Sequence, residues 1–248
     1  MAVFFSKSAG EPSQKSKIES AFPFLKEPGH VISLVGAGGK TSLLYEMARF
    51  CASQGLKTLV STTTHIFKPD PLVYACDWEQ VEQLWNNGSY AVVGKCTSNE
   101  KLSILPYEEL YRYIEQADMV LLEADGAKRM PAKVPADGEP IILPECDIVI
   151  GIMGLDALNQ PLEQVCFRRE QAMKLLQTEA NDCVTVGHMV QILSSGQGTR
   201  KLAEGRTYMV VLNKCDQEER KRQGDIILEL LSNAGIRGIM SCFKEGAE

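Results

Sequence analysis

The sequence predicts an α/β fold built on a doubly wound, mainly parallel sheet, and three observations carry that expectation. Short apolar runs at 31–35, 119–122, 146–153 and 208–212 have the length and Val/Ile/Leu content of strands buried on both faces. Stretches with apolar residues at helical spacing separate them, the alternation expected of parallel strands joined by crossover helices. The run at 31–35 passes directly into a glycine-rich turn, Gly36-Ala37-Gly38-Gly39, that opens a helical pattern.

Taken in order, residues 1–29 read as an N-terminal lead-in, loose over the Ser-, Lys-, Gly- and Pro-rich stretch 6–17, ahead of one domain at 30–248. After the strand at 31–35, Leu43, Leu44, Met47, Ala48 and Cys51 mark a helix that Gly55 stops. A second strand at 57–61 runs into Thr62-Thr63-Thr64-His65-Ile66-Phe67, at the strand end where open parallel sheets bind ligands. A helix at 77–86, a strand at 89–95, a helix at 106–116 beginning at Pro106 and the strand at 119–122 follow. Residues 126–144 hold four prolines, two glycines and the cations Lys128, Arg129 and Lys133, a long irregular segment of the kind that carries function. Beyond the strand at 146–153, a helical insertion is expected over about 155–205, with Asp182 or Thr185 capping a helix at 186–193. The strand at 208–212, an amphipathic helix at 218–231 and a strand at 236–240 complete the pattern.

Composition narrows the function. With 26 basic against 32 acidic residues the chain carries a net charge of −6, which gives general nucleic-acid binding no electrostatic support and makes any anion site a local one. Eight cysteines are scattered singly without a CxxC pair, as in a reducing cytoplasm. No apolar stretch approaches the roughly 20 residues that span a bilayer, so no membrane role is expected.

The turn supplies the chemistry. Gly36, Ala37, Gly38 and Gly39 let backbone N–H groups close on phosphate oxygens, Lys40 brings a point charge, and Thr41 and Ser42 bring hydroxyls at a helix start, Thr41 being placed to hold Mg²⁺. The expected ligand is a nucleoside triphosphate with Mg²⁺. The motif departs from the full GxxxxGK[ST] pattern at Leu34 and keeps its GxxGK[TS] core. Glu123 and Asp125 leave the end of a buried strand, where either can hold Mg²⁺, and Gly126 lets a backbone N–H approach the γ-phosphate. Asn213-Lys214-Cys215-Asp216 has the NKxD form, in which Asp216 accepts from guanine donors that adenine lacks; the base stays open between GTP and ATP. Thr62, Thr63 or Thr64 can contact metal or γ-phosphate, and His65 can bind a transition metal or polarise a water. Lys128, Arg129 and Lys133 form either an anion-binding lid or a solvated loop face.

The segments VGAGGKTSLL, VSTTTHIF, LLEADGAKRMPAKVPADGEPIILP and GLDAL, in this order, resemble the YqeC family, accessory proteins of selenium-dependent molybdenum hydroxylases. The resemblance runs from about Val31 to the last strand. It implies a cytoplasmic nucleotide-binding protein that helps mature a molybdenum hydroxylase or load its cofactor, the enzyme or a cofactor-related cargo being its partner. GxxGKT, ExxG and NKxD together are also similar to metallochaperone GTPases, and GxxGKT alone to the ATP-using Mur-type ligases. Lys40, Asp125 and His65 are then the expected catalytic groups. A ligase or transferase using ATP on a small acid or cofactor, and a non-catalytic cofactor-delivery protein, are the alternatives. Assembly as a homodimer is left open.

Overall fold

The computed structural model describes residues 2–6, 13–67, 69–98 and 101–243. Its strands in chain order are β1 (Ala2–Ser6), β2 (Gln14–Ser16), β3 (His30–Gly36), β4 (Thr58–Thr62), β5 (His65–Phe67), β6 (Tyr74–Ala75), β7 (Ala91–Val93), β8 (Lys95–Ser98), β9 (Lys101–Ser103), β10 (Met119–Glu123), β11 (Ala132–Lys133), β12 (Ile148–Gly154), β13 (Cys166–Phe167), β14 (Thr207–Asn213) and β15 (Arg237–Phe243). The helices are α1 (Ile18–Ala21), α2 (Lys40–Ser53), α3 (Trp78–Asn86), α4 (Tyr107–Ile114), α5 (Leu162–Val165), α6 (Arg169–Leu176), α7 (Val186–Ser194) and α8 (Glu218–Asn233).

One sheet of ten strands runs in the order β2-β1-β15-β14-β12-β3-β10-β4-β7-β6. Every neighbouring pair from β15 to β6 is parallel, whereas β1 joins β15, and β2 joins β1, antiparallel. This is the P-loop NTPase-like α/β architecture that the alternation of strands and helices predicts. Among the described residues no helix is long and apolar enough to cross a membrane.

Strand periodicity explains why both faces are covered. On β3, Ile32 and Leu34 pack with Leu43, Leu44, Met47 and Cys51 of α2, while Val31 and Val35 pack with Val81 of α3 and Leu110 of α4. On β14, Val211 joins the α2 layer, and Val210 and Leu212 meet Met189 of α7 and Ile227 and Leu228 of α8. Each such side chain contributes about 1.5–3 kcal/mol on burial, so the parallel strands are clamped from both sides. Their C-terminal edge is therefore a rigid platform.

Two features differ from the sequence expectation. The described part of residues 1–29 belongs to the domain: β1 pairs with β15, and Phe4, Phe22 and Leu25 are buried in the α2 layer. Phe4 packs edge-on against Phe22 and Phe243, and aromatic area of this size draws the segment onto the sheet. Residues 7–12, in the stretch expected to be loose, lie outside the described residues. A separate three-stranded sheet, β5-β9-β8, also stands beside the main one, so that β5 continues from the TTTH turn into a wall of its own. Between β12 and β14 the chain passes through α5, β13, α6 and α7.

Candidate functional site

β3 lies between β12 and β10, and its C-terminal turn is held by its neighbours. The Ala37 N–H donates to the Ile152 carbonyl and the Gly38 N–H to the Met130 carbonyl. Gly38 and Gly39 take φ values of +81 and +126. A Cβ at Gly38 would overlap the Gly154 backbone, and one at Gly39 would overlap the Asn213 side-chain amide, so glycine is required twice over. The turn is a packed mould. Immediately after it, the N–H groups that open α2 at Lys40, Thr41 and Ser42 lack intrahelical partners and favour an anion.

Charged side chains from four segments form a chain that begins at that helix start. Lys40, only 4% exposed, donates from Nζ to the Gly36 carbonyl at 2.6 Å and lies 3.2 Å from Asp125 and 3.8 Å from Glu123. Asp125 accepts from the Gly36 N–H through both oxygens at 3.1 Å, and Lys133 approaches its other side at 3.2 Å. Lys133 is fully buried and also binds the Gly126 carbonyl at 2.6 Å and Glu139 at 3.0 Å; Glu139 in turn pairs with Arg168 at 3.0 Å. Lys40, Asp125, Lys133, Glu139 and Arg168 thus alternate in sign from the turn to the surface. Burial raises the Glu139 carboxyl, but hydrogen bonds from Arg168 and Lys133 outweigh it and hold the group down at about 2.

Glu123 has a different environment. Its Oε2 accepts from the Thr41 hydroxyl at 2.8 Å, and burial pushes its carboxyl above the ordinary carboxylate value although Lys40 and Thr41 pull the other way. A hydroxyl and a carboxylate side by side at a phosphate-binding helix start suit Mg²⁺, which prefers oxygen ligands and completes its shell with phosphate and water. The donor set fits. Asp125, by contrast, is already engaged by the Gly36 N–H and two lysines.

A cleft of about 640 Å³ opens over this point. Gly38, Gly39, Lys40, Thr41 and Ser42 form its floor with Glu123; residues 126–130, His65–Phe67, Lys101 and Lys214 form the walls. Arg129 lies 4.6 Å and Lys101 5.5 Å from the Phe67 ring centre, and Lys128 lies 5.3 Å from that of Phe167.

Of the sequence-predicted residues, Gly38 to Ser42, Glu123, Gly126, Lys128, His65 and Lys214 share the cleft. Gly36, Ala37 and Asp125 stand behind its lining as supports. Thr63 is buried and gives its hydroxyl to the Ile141 carbonyl at 2.9 Å, tying down the 126–144 segment. Asn213 donates to the Gly38 carbonyl at 2.7 Å and accepts from Ser241 at 3.0 Å, so it braces the turn. Lys214 pairs with Asp156 at 2.6 Å. Asp216 is half exposed, pairs with Arg220 at 3.3 Å and does not line the cleft. Lys133, read from sequence as lid or solvated face, is neither, because its side chain is fully buried between the buried Asp125 and the half-buried Glu139. Phe67 belongs to the Thr62–Phe67 run that the sequence places at the ligand-binding strand end, though with no role of its own there, and nothing in the sequence points to Lys101. Among the described residues no group of three or more His, Cys, Asp or Glu could hold a metal, so His65 belongs to no such group there.

A family model described as YqeC protein matches residues 32–170, over half of the chain. The chain is also 28% identical over 218 residues to the uncharacterized protein YqeC of Escherichia coli (strain K12), an alignment covering 84% of this chain and 85% of that relative.

Proposed function

The chain belongs to the YqeC family, and from that premise we propose that it binds a nucleoside triphosphate with Mg²⁺ in the cleft, hydrolyses it, and uses the cycle to mature a selenium-dependent molybdenum hydroxylase or its cofactor. One observation carries the nucleotide reading: Glu123, more than eighty residues away in sequence, meets Lys40 and Thr41 at the N-terminus of their helix beneath an open cleft. The molybdenum role rests on the family resemblance.

In this reading Lys40 exchanges the Gly36 carbonyl for β- and γ-phosphate oxygens, while Asp125 keeps its place through the Gly36 N–H and Lys133. The N–H groups of Lys40 to Ser42 add fixed donors, and preorganised donors of this kind are worth most where charge develops. Thr41 and Glu123 hold Mg²⁺, which neutralises phosphate charge when bound. His65, across the cleft, orients the attacking water. Asn213 positions the turn, and the exposed, Arg220-paired Asp216 leaves the base open between ATP and GTP.

The test is calorimetric titration with ATP and GTP, with and without Mg²⁺, coupled to phosphate release. Binding that needs Mg²⁺ and is lost in Lys40→Ala supports the reading, and no binding by a folded wild type overturns it. Phosphate released only with a small acceptor would instead favour the ligase or transferase, for which the second cationic wall of the cleft speaks. Bound cofactor without turnover would favour a delivery protein.

A further inference from the structure

The walls of the cleft above the phosphate turn carry three cations, Lys101, Lys128 and Arg129, and none of them pairs with a carboxylate among the described residues. Some surface cations of the protein are matched by carboxylates, as Arg49 is by Glu46 and Arg222 by Glu219. Here they are propped on rings, Arg129 and Lys101 against Phe67 and Lys128 against Phe167. A ring orders a cation through its quadrupole without neutralising it. Lys128 and Arg129 are moreover held at φ +48 and +61, a region that non-glycine residues enter at a cost and that concentrates at binding sites.

Strand order says what this charge faces. β14, carrying Asn213 and Lys214, lies two places from β3 on one side, and β4, leading into β5, lies two places away on the other. A nucleotide with its phosphates on Lys40 to Ser42 and its base toward β14 leaves the β4–β5 side vacant beyond the γ-phosphate. We propose that this side binds a second small molecule, a phosphomonoester, together with the nucleotide; the pairing rests on the nucleotide reading above. Two cations converging on the Phe67 ring, with Lys128 lining the same cleft, exceed what one carboxylate offsets. The Arg129 fork matches two phosphate oxygens, Lys101 adds a point charge, and Lys128 stands between the two ligands.

The experiment titrates phenyl phosphate into the protein saturated with Mg²⁺ and a non-hydrolysable triphosphate. Arg129→Gln and Lys101→Gln are expected to weaken phenyl phosphate at least tenfold while nucleotide affinity stays within twofold; Lys40→Ala is expected to do the reverse. Displacement of phenyl phosphate by the triphosphate, equal weakening of both ligands by Arg129→Gln, or no phenyl phosphate binding in either state overturns the proposal. Should the triphosphate never bind, phenyl phosphate is titrated alone. Sensitivity to Arg129→Gln but not to Lys40→Ala then supports the second site while the nucleotide reading falls, and the opposite pattern overturns the site.

Discussion

Lys133 and Asp125 form a buried ion pair, Nζ to Oδ2 3.2 Å, with side chains 0% and 2% exposed. Water cannot compensate the loss of either partner. Lys133→Met takes from Asp125 and Glu139 their shared cation, leaving Lys40 on the first and the more exposed Arg168 on the second, and breaking a buried pair in this way costs up to about 3–5 kcal/mol. Urea denaturation should show that loss, with Lys133→Arg retaining part of the stability. A midpoint unchanged in Lys133→Met would mean that the lysine does not hold the two carboxylates.

Lys40→Ala has a smaller structural effect than Lys133→Met. Lys40 is buried, so its removal is felt, but Asp125 keeps Lys133 and the Gly36 N–H. A loss of about 1–2 kcal/mol is expected, in the range of an ordinary destabilising substitution. Thermal melts and triphosphate titrations on the same sample check that binding falls far more than stability.

Glu123→Gln separates metal from fold. The glutamine can still accept from Thr41, and it removes a carboxyl that burial pushes toward its neutral form. Stability at pH 7 should hold or rise, while Mg²⁺ no longer strengthens triphosphate binding. Because the wild-type carboxyl, raised by burial, must ionise to take the metal, Mg²⁺ binding should also release protons, read as a calorimetric enthalpy that changes with buffer.

Acid should act on Glu139. Its value is held at about 2, below the ordinary 4.5, so its stabilisation is complete above 4.5 and disappears as pH falls toward 2. With the partial exposure of the pair discounted, about 2 kcal/mol is at stake. Glu123 runs the other way, since its raised value means that the fold favours the neutral form and loses that contribution as pH rises through it. Stability measured from pH 5 down to pH 2 should fall less steeply in Glu139→Gln than in wild type.

The legible parts were those whose local sequence already decides their structure. Residues 31–35 and 119–122 are apolar runs with no other use than a two-sided strand, and β3 and β10 contain them. Gly38, Gly39 and Lys40 announce themselves by type and spacing. Lys133 does not: a lysine among prolines reads as solvated, and only the return of the chain over Asp125 buries it. The three-residue strands β5 and β9 are too short for periodicity to register and depend on each other for hydrogen bonds, so the pairing of Phe67 with Lys101 stayed out of sight. β1 was hidden by the polar residues that follow it, although Phe4 fits a pocket made by Phe22 and Phe243.

The two walls of the cleft are anchored unequally. The strand beneath the phosphate turn is hydrogen-bonded on both sides in the centre of the large sheet, whereas β5 is the edge strand of the small one. In hydrogen-exchange terms, amides of the first should open only with global unfolding, and those of residues 65–67 through cheap local excursions. Widening of the cleft is therefore a fraying of one margin against a fixed one. A ligand gains entry at a rate set by the opening free energy of three short strands, and the phosphate turn need never loosen to admit it.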